Sequence, residues 1–88
     1  MTVTTQAATH ANTAATAKLR SGEKITAEEF AVLLNHNNAV CKEALDAEDA
    51  EVYEAASVLM DGLKYRLRRA GYIESFDQET NIYTVRNV

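Results

Sequence analysis

A mainly α fold, α-rich α+β, is predicted by three observations: two long stretches with apolar residues at a period near 3.6, a short Asp-rich link between them, and two strand-favouring runs at the C-terminus. The expected arrangement is two antiparallel amphipathic helices plus a C-terminal β-hairpin, preceded by a weak N-terminal helix. The 88 residues, 47% of them apolar, suffice for one domain and not two. The division expected is a Thr/Ala-rich leader over residues 1–22, flexible or dependent on a partner for its helix, and a single helix-helix-hairpin unit over residues 23–88.

The leader has six threonines and six alanines in its first seventeen residues, so little of it can anchor a core. Ala8, Ala11, Ala15 and Leu19 nevertheless recur at helical spacing. Ser21-Gly22 marks a boundary, because glycine readily takes the left-handed conformation that closes a helix. Next, Thr26 reads as an N-cap with Glu29 completing a capping box, and Ile25 and Phe30 form a hydrophobic staple around it. From this start Phe30, Leu33, Leu34, Val40, Cys41, Ala44 and Leu45 form an apolar stripe, interrupted by Asn37, that carries the helix to about Leu45.

Asp46 to Asp49 can turn the chain and cap the next helix. That helix is expected over residues 50–70, with Val52, Ala56, Leu59, Met60, Leu63 and Leu67 on its apolar face and Gly71 as its stop. Gly62, in its middle, costs about 1 kcal/mol relative to alanine and points to close helix packing or contact with something else. Tyr72–Phe76 and Ile82–Arg86 are the expected strands, joined by turn-forming residues from Asp77 to Asn81.

Charge and motifs narrow the function. Nine Lys and Arg against thirteen Asp and Glu give a net charge of −4, which opposes non-specific binding to nucleic acid or anionic lipid. No apolar run approaches the length of a membrane span, and the N-terminus lacks a signal-peptide pattern, so a cytoplasmic location is expected. The single Cys41 excludes an internal disulfide, and its place on the apolar stripe predicts an inert, buried thiol. His36 and Cys41, five residues apart, do not share a helical face, and His10 lies in the leader; no metal or other cofactor is expected. Glycine-rich phosphate loops, nucleophile elbows and zinc-binding helix motifs are absent from the sequence. The chain is therefore read as no enzyme.

Two features remain as candidates for partner binding. Asn35-His36-Asn37-Asn38 places four polar side chains in mid-helix, so Asn35, His36 and Asn38 are candidates for polar recognition, while Asn37 on the apolar seam could fix register. The second helix is charge-segregated: seven acids and no base run from Glu43 through Asp61, and Lys64, Arg66, Arg68 and Arg69 follow. Glu48, Glu51 and Glu54, with Arg66, Arg68 and Arg69, are the candidates for charged partners. The expected function is a small non-enzymatic protein–protein interaction module, an inhibitor, adaptor or assembly factor, able to form a homo-oligomer.

The passage Leu63-Lys64-Tyr65-Arg66-Leu67-Arg68-Arg69-Ala70-Gly71-Tyr72-Ile73-Glu74, followed by Ile82-Tyr83-Thr84-Val85, resembles the recognition-helix-to-wing region of winged helix-turn-helix proteins. The resemblance covers about a third of the chain. It implies a DNA-binding transcriptional regulator in which Arg66, Arg69 and Arg86 touch phosphate. Against docking stand Glu48, Asp49, Glu51 and Glu54 at the start of that helix, which repel the backbone. DNA binding is thus the alternative to a protein partner. In its shortness, acidity and Thr/Ala-rich leader the chain is also similar to small accessory proteins of bacterial viruses.

Overall fold

The computed structural model describes residues 15–88. Residues 15–21 are helical (α1), followed by α2 (Ala27–Asp46), α3 (Ala50–Arg69) and an antiparallel hairpin of β1 (Tyr72–Asp77) and β2 (Ile82–Asn87). The architecture is mainly α with a small β-sheet, as the periodicity and turn chemistry predict. Ala8, Ala11 and His10 lie outside the described residues.

The α2 start follows the sequence signal in detail. Thr26 is the N-cap; its hydroxyl accepts from the Glu29 N–H at 3.2 Å, and the Glu29 carboxylate accepts from the Thr26 N–H at 2.9 Å. Ile25 and Phe30 are buried in one cluster, the two ends of the staple. At its C-terminus, α2 stops in a Schellman turn. The Asp49 N–H donates to the Ala44 carbonyl at 2.8 Å and the Glu48 N–H to the Leu45 carbonyl at 3.1 Å. Asp49 then caps α3 by accepting from the Val52 N–H at 3.2 Å. Three residues thus join α2 to α3, which makes the two helices antiparallel neighbours.

The core consists of Ala15 from α1, Phe30, Leu33 and Leu34 from α2, and Met60, Leu63 and Leu67 from α3, together with Ile25. The expected boundary at Gly22 is a helix stop: Gly22 has φ +77°, and the Glu23 N–H returns to the Lys18 carbonyl at 3.1 Å. Residues 15–21, just ahead of it, pack on the same unit: Ala15 is fully buried, Leu19 packs on the core, and Lys18 pairs with Glu29 at 2.9 Å.

Strand alternation orients the hairpin. Tyr72 and Glu74 on β1, and Tyr83 and Val85 on β2, face the helices, whereas Ile73, Ser75, Thr84 and Arg86 are exposed. Tyr72 meets Phe30 edge-on, with ring centroids 5.9 Å apart. Gly71, at φ +92°, reverses the chain between α3 and β1, and an Asp77 side chain accepting from the Glu79 N–H shapes the turn to β2.

Several positions assigned to the buried stripes lie at the surface. Leu45, Val52 and Leu59 are exposed: they lie on flanks of α2 and α3 turned away from the shared core of Phe30, Leu33, Leu34, Met60, Leu63 and Leu67. Cys41 is half-buried rather than enclosed. Gly62 has open space where a Cβ would project, so no contact among the described residues explains it.

Candidate interaction surface

The Asn-rich turn of α2 is largely occupied within the chain. Asn35 grips β2 with both ends of its amide: Nδ2 donates to the Tyr83 carbonyl at 2.9 Å, and Oδ1 accepts from the Tyr83 N–H at 2.6 Å. A strand edge thereby finds the partner its backbone requires. Asn38 Nδ2 lies 3.4 Å from the Asn81 carbonyl, a longer and more exposed bond at the hairpin turn. Asn37, 5% exposed, donates to the Ala56 carbonyl at 2.6 Å across the α2–α3 contact. Two of the three residues expected to meet a partner therefore dock the hairpin, and His36 alone is exposed. The hydrogen bonds span 48 and 43 positions, a pairing that local sequence pattern does not encode.

His36 and Cys41 lie on separate walls of the molecule. His36 borders an apolar groove of about 400 Å³ beside Leu19, Val40, Ala55 and Leu59, and Cys41 lines an open cleft of about 610 Å³ with Lys42, Tyr53 and Asp61. Among the described residues, no three His, Cys, Asp or Glu side chains converge as metal ligands. No described helix is long and apolar enough to cross a membrane.

The basic end of α3 divides the same way. Arg68 makes a two-pronged ion pair with Glu74 on β1, its Nε 3.1 Å from Oε1. Burial raises the Glu74 carboxyl, but the hydrogen bonds from Arg68 and from its own backbone, with the charges of Arg68 and Lys64, leave it below the ordinary range. Arg69 lies over the Tyr65 ring and donates to its hydroxyl at 3.1 Å. The Arg66 side chain enters none of the hydrogen bonds or ion pairs among the described residues. Arg68 therefore fastens the hairpin, whereas Arg66 and Arg69 face outward.

Away from the core, α3 presents one continuous face. Glu51 and Glu54 stand at its start, Ala55, Val58, Leu59, Gly62 and Tyr65 in the middle, and Arg66 and Arg69 at its end. Val58, Leu59 and Tyr65 are 67%, 54% and 61% exposed, and no described residue covers them. Favourable interaction with the helix dipole accounts for acids in the first turn and bases in the last, but not for large apolar side chains in water between them. The apolar patch continues over Leu59 into the groove beside His36. Glu48, in the turn before α3, adds a further acid at the same end.

No family model, curated protein or solved structure matches this chain.

Proposed function

We propose that the protein is a non-enzymatic protein–protein interaction module that binds through the outward face of α3, acting as an inhibitor, adaptor or assembly factor. The supporting observation is the exposure of Val58, Leu59 and Tyr65 between an acidic and a basic end. The apolar centre supplies affinity by leaving water, and the two charged ends orient the partner. Arg66, Arg69, Glu51 and Glu54 carry that orientation, with His36 at the edge of the adjoining groove.

The alternative is DNA binding by α3 and the hairpin, favoured by the helix–hairpin order and by outward-facing Arg66, Arg69 and Arg86. Affinity capture from the native cell with wild type and Val58→Glu, with retained nucleic acid assayed in parallel, separates the two. A protein captured by wild type and lost with Val58→Glu is the expected result. A low-salt duplex-DNA shift abolished by Arg66→Ala with Arg69→Ala, and indifferent to Val58→Glu, overturns it.

A further inference from the structure

Along the outward face of α3, Glu51, Ala55, Val58, Gly62, Tyr65 and Arg69 are spaced four, three, four, three and four residues apart. This is the stripe of a heptad seam, about 27 Å long at 1.5 Å per residue. Its spacing reads the same in both directions. We propose that this face pairs with itself: a second copy of the chain docks its α3 antiparallel on the first, across a two-fold axis midway between Val58 and Gly62. The inference rests on the reading of the α3 face as a protein-binding surface, and it names the occupant.

Antiparallel pairing about that axis sets Glu51 opposite Arg69, Ala55 opposite Tyr65 and Val58 opposite Gly62, each pair occurring twice by symmetry. Glu54 and Arg66 lie at the same height on opposite flanks of the seam. Each layer thus combines a large side chain with a small one, or an acid with a base, as interdigitating helices require. Parallel pairing instead places Glu51 on Glu51, Arg69 on Arg69, Tyr65 on Tyr65 and Gly62 on Gly62, which adds like-charge repulsion and leaves a gap. Charge and size therefore select one orientation, and antiparallel helix dipoles favour it as well. Gly62 now has a reason: its empty Cβ position receives Val58 of the second copy.

Sedimentation equilibrium of the full chain over a wide concentration range is the test, with circular dichroism confirming that each variant folds. Wild type is expected to reach twice the chain mass, with a dissociation constant that rises with salt. Val58→Glu, at an exposed position, should raise that constant at least tenfold. Gly62→Leu should raise it similarly while increasing the thermal midpoint of the dissociated chain, a combination that simple misfolding does not produce. A chain carrying Glu51→Lys and Glu54→Lys, and another carrying Arg66→Glu and Arg69→Glu, should each lose self-association and together form a one-to-one dimer.

A wild type that stays monomeric throughout, or a dimer indifferent to Val58→Glu and to both charge reversals, overturns self-pairing. If a monomeric wild type still captures a protein in a manner lost with Val58→Glu, the protein-binding reading survives and self-pairing alone fails. If no such capture occurs either, both fail.

Discussion

At the scale of single residues, polar side chains in this chain bind the hairpin to the helices. Asn35 satisfies both backbone groups of Tyr83, and the two hydrogen bonds, at about 0.5–1.5 kcal/mol each, make Asn35→Ala cost about 1–3 kcal/mol. Chemical denaturation measures the loss, and amide exchange at Tyr83 should accelerate more than exchange in the α2–α3 core. Arg68 and Glu74 act at the other end of the hairpin. The Thr26 N–H and Lys18 hold the Glu29 carboxyl below its ordinary value of 4.5, and Glu74 is likewise depressed. A carboxyl with a depressed folded-state pKa binds its proton more readily when unfolded, so its stabilisation is complete above about pH 4.5 and is lost as pH falls through the lower folded value. The thermal midpoint should therefore decline below pH 4.5, and Glu74→Gln should flatten that decline. An acid limb unchanged by Glu74→Gln would remove Glu74 as a contributor.

At the scale of elements, the helix ends decide the topology, and one of them is strained. Glu48 occupies the C′ position of α2 at φ +55°, where glycine is the usual residue because a Cβ there crowds the backbone. Relief of about 1–2 kcal/mol, less about 0.5–1 kcal/mol for the greater freedom of glycine in the unfolded chain, makes Glu48→Gly stabilising by roughly 0.5–1 kcal/mol. For a domain this small, that raises the thermal midpoint by roughly 2–8 °C in a calorimetric scan. Element ends are also where the sequence was most readable. Thr26, Glu29, Asp49, Gly22 and Gly71 act within a few residues of themselves, so their chemistry survives without knowledge of the tertiary fold. Asn35 and Asn38 were harder to read, because their partners are 48 and 43 residues away and a solvated Asn has the same local signature. The outward face of α3 was half legible: its charge segregation stood in the sequence, but Leu59 and Val52 share the helical period of the core. Only the packed structure, in which Val52 and Leu59 are exposed while Met60, Leu63 and Leu67 are buried, tells the two flanks apart.

At the scale of the whole molecule, the hairpin and the helices share one core and should unfold together. Two strands alone are marginal in water, and here Tyr72, Tyr83 and Val85 pack on the helical cluster while Asn35 and Arg68 hold opposite parts of the hairpin. The chain has no tryptophan and four tyrosines, of which Tyr72 and Tyr83 lie between hairpin and helices. Tyrosine emission therefore reports the docking of the hairpin, with Tyr53 and Tyr65 contributing a more exposed background, and circular dichroism at 222 nm, a wavelength conventional for helix, reports α2 and α3. In wild type the two signals should give coincident urea transitions. Asn35→Ala, combined with Glu74→Gln, removes the first tie and the charge of the second but leaves the helical cluster of Phe30, Leu33, Leu34, Met60, Leu63 and Leu67 unaltered. In that variant the tyrosine transition should precede the helical one, as a hairpin left with the packing of Tyr72, Tyr83 and Val85 and the weaker Asn38–Asn81 and Lys64–Tyr83 contacts detaches first. Coincident transitions in the double variant would mean that the remaining contacts suffice to couple sheet to helices, and that the Asn35 and Arg68–Glu74 ties set stability without setting cooperativity.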